Sequence, residues 1–311
     1  MMEKTTYQIG NRTLTGCCWM PEPHQSPVGV VVILHGMSEH ILRYQTFAEQ
    51  LAKAGYLVHG YNQRGHGSVD DESRGDLGEN GFEQLIDDAH VVIKTVRQST
   101  DRPVVLFAHS MGSFVAQGLL SQYPKSVDAC ILCGSNGPEG PILHLAKWLA
   151  RRYARIHGRT ATSVVLTWLI FGAYNRAFRP NRTNFDWLTR DEREVDLYLS
   201  DRDCGFSLTT ASMYDMFRTL QQIHRPDRIR QIPLNLPIFI IAGEKDPVGH
   251  FGRGIKRLVQ LYTKHGLEHV SYKLYPDARH ELLHEQNREE VMRDILSWLA
   301  EHVPRLSNIT Q

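Results

Sequence analysis

The property that most restricts how this chain can fold is a rhythm. Short apolar runs that end at Gly, Pro or Asp alternate with longer segments whose apolar residues recur at helical spacing. Strands buried on both faces read as continuous apolar runs, so the rhythm predicts a mostly parallel sheet covered by helices on both sides. The predicted strands are Gly29–Leu34, Tyr56–Tyr61, Val104–Phe107, Ala129–Gly134, Leu236–Gly243 and Val270–Tyr275. Tyr7–Met20, turning at Gly10–Asn11, adds an antiparallel hairpin and brings the sheet to eight strands. Helices are predicted over Tyr44–Ala54, Phe82–Arg97, a segment after Ser110, Gly254–Lys264 and Glu289–His302. Between Gly134 and Leu236 the rhythm stops for about a hundred residues, too long for a connecting loop. That stretch is Arg-rich and helical in period, so we read residues 137–228 as a helical cap inserted into a core of residues 1–136 and 229–311.

Composition narrows the function classes. A chain of 311 residues with 41% hydrophobic content can bury a sizeable core. Its 35 basic and 34 acidic residues leave no field that would draw nucleic acid, and nucleic acid is not expected as a partner. The N-terminus lacks the apolar segment of a secretory signal and no apolar stretch reaches membrane-spanning length, so a cytoplasmic location is expected. Five cysteines make an odd set, expected to be reduced. Cys130 and Cys133 form C-x-x-C, but inside a predicted strand their thiols would point to opposite faces.

The chemistry is concentrated in Val104–Gly112, where an apolar strand runs into Ala108-His-Ser-Met-Gly. A strand that turns sharply into a helix at a Ser leaves room only for small side chains two positions before and after it. Ala108 and Gly112 meet that need, in an A-x-S-x-G variant of the usual G-x-S-x-G. A hydroxyl nucleophile requires a base within hydrogen-bond reach and a third group to orient the base. Asp246 follows the predicted strand ending at Gly243, and His280 follows the strand ending at Tyr275, so Ser110, Asp246 and His280 all fall at carboxyl ends of strands. Among rivals, Glu244 is expected to face solvent, and Asp277 shares the turn of His280; Pro247 favours Asp246 by holding it in a turn. The backbone N–H groups of Met37, after His35-Gly36, and Met111, at a helix N-terminus, are the candidate oxyanion donors. Acyl transfer of this kind calls for no cofactor and no metal.

Two other motifs compete. His280-Glu-Leu-Leu-His284 has the literal H-E-x-x-H spacing of zinc proteases, which needs both His on one face of a well-formed helix. Pro276 just upstream argues against such a helix, and Glu285, as a third ligand, would point about 100° away from His284. His66 and Asp71 have an H-x-x-x-x-D spacing, but Arg64-Gly-His-Gly reads more simply as a tight turn whose polar side chains satisfy buried backbone groups.

Leu34-His-Gly-Met-Ser-Glu-His-Ile-Leu-Arg-Tyr, Tyr61-Asn-Gln-Arg-Gly-His-Gly-Ser, Ala108-His-Ser-Met-Gly, Gly243-Glu-Lys-Asp, Asp277-Ala-Arg-His and the cap stretch Leu188–Tyr198 together resemble the monoacylglycerol lipase and lysophospholipase group of α/β-hydrolases, also described as serine aminopeptidase S33-like. The resemblance covers nearly the whole chain. It implies an α/β-hydrolase fold with Ser110 as nucleophile, His280 as base, Asp246 as its partner, and Met37 and Met111 as oxyanion donors. It also implies a serine ester hydrolase for single-chain lipids, first of all a monoacylglycerol lipase. Lysophospholipase, carboxylesterase or thioesterase chemistry is the alternative on the same triad; an aminopeptidase and a non-catalytic binding protein stand further off.

Within the cap, Ile142, Leu145, Leu149, Tyr153 and Ile156 share one helical face, with Lys147, Arg151 and Arg155 away from it. That face is expected to pack onto the rest of the protein, with peripheral contact to a membrane or micelle as the other use of a basic amphipathic helix. Val164–Phe171 is too short to cross a bilayer but suits the roof of an acyl tunnel.

Overall fold

The computed structural model describes residues 1–22, 26–68 and 72–303, with the backbone alone for 169–171. Its sheet has eight strands: β1 (Met2–Ile9), β2 (Arg12–Trp19), β3 (Gly29–Leu34), β4 (Tyr56–Tyr61), β5 (Val104–His109), β6 (Ala129–Cys133), β7 (Ile238–Gly243) and β8 (Val270–Tyr275). They lie in the order β1-β2-β4-β3-β5-β6-β7-β8. The first two are antiparallel to their neighbours, and every pair from β4 to β8 is parallel. The hairpin begins five residues before the predicted one because Met2–Thr6 is mostly exposed and polar, and an edge strand carries no apolar signal there.

Helices α1 (Gln45–Lys53), α2 (Gly81–Gln98), α3 (Met111–Gln122), α9 (Arg253–Lys264) and α10 (Arg288–His302) flank the sheet. Side chains alternate between its two covered faces. Along β3, Val30, Val32 and Leu34 join one core with α2 and α3, while Val31 and Ile33 join another with α1 and α10. Cys130 and Cys133 fall in different layers of this core, each buried and free.

Between β6 and β7 lie α4 (Ile142–His157), α5 (Val164–Phe171), α6 (Glu192–Ser200), α7 (Thr210–Ile223) and α8 (Pro226–Ile229). Ser163, Asp191 and Thr209 accept backbone N–H groups at the N-termini of α5, α6 and α7. Helix α4 packs on α7 by a face that only partly matches the expected one: Leu149 and Tyr153 pack against the core, whereas Ile142, Leu145 and Ile156 do not. Leu143 and Ala150 are buried, Ala146 and Lys147 partly so, and Lys147 bonds to Gln221. Ile142, Leu145 and Ile156 are 72%, 56% and 63% exposed. The small residues Ala146 and Ala150 let the two helices approach closely, which turns the larger apolar residues outward. Among the described residues, no helix is long and apolar enough to cross a membrane.

Candidate active site

Ser110 joins β5 to α3 with φ +50° and ψ −119°, a backbone state that L-residues rarely adopt. Neighbouring backbone holds it there. Ser110 N–H donates to the Cys133 carbonyl at 2.9 Å, and its own carbonyl accepts from Ser113 N–H and Oγ–H at 2.8 and 2.6 Å. A Cβ on Gly112 would stand 2.6 Å from the carbonyl oxygens of both Leu34 and His35, so the helix can approach β3 only with Gly there. Ala108 is fully buried between β3 and β6, and its methyl group is part of the core.

His280 reaches this turn from the loop after β8. Its Nε2 lies 2.8 Å from Ser110 Oγ, and its Nδ1 lies 3.0 Å from Asp246 Oδ2. The carboxylate can only accept, which puts the proton on Nδ1 and leaves Nε2 free to accept from the hydroxyl. Asp246 is fully buried, and its other oxygen accepts from Val248 N–H at 2.9 Å. The close approach of Gly243 to the carbonyls of Ala278 and Arg279 brings the Asp246 turn against the His280 loop. Burial pulls the imidazole pKa down, but the charge and hydrogen bond of Asp246, with Glu281 and Glu39 behind it, raise it above the ordinary value. His109, with its ring 4.8 Å from that of His280, is pushed down to about 4 by burial and by the charge on His280, so it stays neutral. Glu244 is exposed, and Trp187 from the insertion sits 5.1 Å from the His280 ring.

Gly36 packs against the nucleophile: a Cβ there would come 3.2 Å from Ser110 Cβ. Met37 follows Gly36 in this loop, and Met111, the first residue of α3, follows Ser110 directly. His35 is fixed by Gln63, whose backbone N–H donates to His35 Nε2 and whose side-chain amide donates to the His35 carbonyl.

Sequence reasoning missed the buried ionic cluster behind this loop. Arg43 donates two bonds to Glu281, at 2.7 and 2.8 Å, and one to Glu39 at 2.8 Å. Glu39 also accepts from Gly36 N–H and from Tyr44 O–H. One guanidinium thus ties the Met37 loop to the residue after His280. Burial works to raise both carboxyl pKa values, yet Arg43 holds them below the usual range. The signal was a Glu and an Arg four apart, a spacing indistinguishable from a surface helix pair.

The H-E-x-x-H motif does not assemble. Leu282–His284 is a single short turn. His280 spends both nitrogens on Ser110 and Asp246, Glu281 is paired with Arg43, and His284 Nε2 bonds to the Arg43 carbonyl. Glu285 accepts from Arg190 Nε and from Arg279 N–H, which stitches the His280 loop to the insertion. Arg64 differs from expectation: its guanidinium pairs with the Asp88 carboxylate, not with backbone. His66 bonds to the Arg64 carbonyl, and Asp71 lies outside the described residues.

Comparison with known proteins agrees with this architecture. The family model described as "Serine aminopeptidase, S33" matches residues 25–287. A monoacylglycerol lipase of Mycolicibacterium smegmatis is 26% identical over 303 residues, covering 95% of each chain. The human monoglyceride lipase is 23% identical, over 87% of this chain and 84% of its own. Among solved structures, a thermostable carboxyl esterase from Bacillus coagulans, in complex with glycerol, superposes with a TM-score of 0.89 at 26% identity, covering 97% of this chain and 99% of that one.

Proposed function

Because the chain belongs to the serine aminopeptidase S33 family of α/β-hydrolases and is a serine ester hydrolase, we propose that it cleaves monoacylglycerols and similar single-chain lipid esters through Ser110, His280 and Asp246. The observation that carries the reading is the line of two hydrogen bonds from Ser110 Oγ through His280 to buried Asp246. Ser110 Oγ attacks the ester carbonyl carbon as its proton passes to His280 Nε2. The carbonyl oxygen takes up the negative charge beside the Met37 and Met111 amides, the second at the positive end of α3. His280 returns the proton to the leaving alcohol, and water then repeats the sequence on the acyl-enzyme. Asp246 holds the Nδ1–H tautomer and stabilises the imidazolium formed in each half. Residues 137–228 act as the cap of a core formed by 1–136 and 229–311, with Trp187 roofing His280.

The lipid substrate is supported by full-length similarity to monoacylglycerol lipases and by the outer face of the cap. Trp148, Val164, Val165 and Trp168 are 57%, 84%, 66% and 56% exposed, beside exposed Arg151, Arg152 and Arg155. An apolar face rimmed by arginines suits an anionic lipid surface. The decisive experiment is labelling with a serine-directed phosphonate, with Ser110→Ala as control, followed by an ester series of increasing acyl length. Labelling that persists in the Ala variant overturns the nucleophile; turnover of acetates far above that of medium and long monoacylglycerols overturns the lipid substrate. Trp148→Ser with Trp168→Ser should release the protein from phosphatidylglycerol vesicles while leaving hydrolysis of a water-soluble ester intact; unchanged vesicle binding refutes the cap surface.

A further inference from the structure

Among the described residues, one set of three metal-ligating side chains converges: His40, Asp201 and Cys204, with ligand atoms all within 4.8 Å of one another. They come from two separate parts of the chain. His40 lies three residues after Met37, and Asp201 and Cys204 lie just beyond α6 in the cap. The two segments are already stitched together: Gly205 N–H donates to the Ser38 carbonyl at 2.9 Å, Ser38 Oγ–H to the Phe206 carbonyl at 2.6 Å, and Tyr198 O–H to the Ser38 carbonyl at 3.1 Å. We propose that His40, Asp201 and Cys204 bind a thiophilic divalent cation, zinc above all, which clamps the cap to the loop carrying Met37.

The donor set is the first argument. Imidazole, thiolate and carboxylate with one position left for water is a set that zinc accepts in tetrahedral form, whereas calcium and magnesium require oxygen donors. Bonds of about 2.0–2.3 Å to zinc place tetrahedral ligands roughly 3.3–3.8 Å apart. His40 Nε2 and Asp201 Oδ2, now 2.8 Å apart in a hydrogen bond, would open slightly as the ion enters, and Cys204 would close on them. Charge is the second argument. The Glu39, Asp201 and Glu281 carboxylates act on Cys204 along with the Arg43 guanidinium; Glu39 and Glu281 share that one guanidinium, and Asp201 is bonded to His40. A cation offsets that excess, and buried or half-buried negative charge is costly when unbalanced. Access is the third. Asp201 lines a cavity of about 480 Å³ with Arg43, Ser200, His284 and Arg288, so one of the three ligands is reached from an open cavity. On binding, Cys204 loses its thiol proton to solvent, the His40 proton moves to Nδ1 so that Nε2 can donate its lone pair, and Asp201 exchanges its hydrogen bond for the metal. The two anionic ligands cancel the charge of the ion. None of this depends on the substrate of Ser110.

The test is a titration of the chelator-treated full chain with cobalt(II), whose spectrum reports ligands directly. One equivalent should bind with a thiolate-to-cobalt charge-transfer band and the intense visible bands of a tetrahedral ion, zinc should displace it, and zinc should raise the melting temperature. Cys204→Ser should abolish the charge-transfer band, and Asp201→Asn should weaken binding by more than about tenfold, since even outer-shell partners cost that much. Asp201 is one-third exposed, so its variant serves if Cys204→Ser fails to fold. Absence of the charge-transfer band in the parent chain, its persistence in Cys204→Ser, or unchanged affinity in Asp201→Asn overturns the site.

Discussion

Replacing Asp246 by Asn tests the proposed triad at the member that touches neither substrate nor nucleophile. The carboxylate stands 3.0 Å from His280 Nδ1 in a fully buried setting. With an effective dielectric of about 20, a charge pair at that distance is worth about 5.5 kcal/mol, and about 3 kcal/mol if the imidazolium charge is centred roughly 2 Å further back in the ring. Losing that stabilisation alone slows formation of the imidazolium by about two to four powers of ten. The amide has a second effect. Its oxygen can keep the bond from Val248 N–H, which turns the NH2 group toward Nδ1. The imidazole then carries its proton on Nε2 and offers Ser110 a donor where an acceptor is needed, which takes the loss toward the upper end. We expect kcat for a soluble ester to fall by about 10³–10⁴-fold with the melting temperature little changed, because Asn fills the same volume. Glu244→Gln, at an exposed site, should leave kcat within about twofold. A loss under about tenfold in Asp246→Asn, or a larger loss in Glu244→Gln, would refute the assignment.

The proposed mechanism requires neutral His280, so kcat/KM should fall as pH drops through a single ionisation that lies above the ordinary imidazole value of about 6.5, because Asp246, Glu281 and Glu39 together outweigh burial. In Glu281→Gln the midpoint should move to lower pH; an unmoved midpoint in a folded variant removes Glu281 from this account. Arg43→Met leaves the Glu39 and Glu281 carboxylates buried without their cation, and urea unfolding should show a loss of about 3–5 kcal/mol; less than about 1 kcal/mol would mean that the cluster relaxes into water. At the elbow, Gly112→Ala pushes a methyl group against two backbone carbonyls and should cost about 1–3 kcal/mol together with most of the activity, whereas Ala108→Gly should cost only about 0.5–1 kcal/mol and keep turnover. Equal effects at the two positions, read by thermal melts and esterase assays, would contradict the packing described.

The fold was readable where burial leaves a periodic mark. Strands β3, β5, β6 and β7 are buried along their whole length, so their apolar runs stand out, and Gly and Pro punctuate them. The polar start of β1 left no such mark. The candidate site was readable for a related reason: each residue sits at the carboxyl end of a recognisable strand, so knowing the strands located the loops. Pairing behind the site was not readable. Glu39 and Arg43 look like neighbours on an exposed helix, and nothing local announces that Glu281, 238 residues from Arg43, completes them.

The helices between β6 and β7 show the same limit. They were legible as helices, but the face that packs was only partly so: Leu149 and Tyr153 pack as expected, while Ala146 and Ala150 shift the contact by closeness of approach and leave the larger Ile142 and Leu145 outside it. The sequence by itself determined the layered sheet, the order of Ser110, Asp246 and His280 and the strand ends that carry them, since period and turn chemistry act over a few residues. Only the tertiary structure decided which polar groups meet across the chain: Arg43 with Glu39 and Glu281, Arg64 with Asp88, and His40 with Asp201. Those pairings are set by desolvation, which obliges each buried charge to find a partner wherever the fold places one.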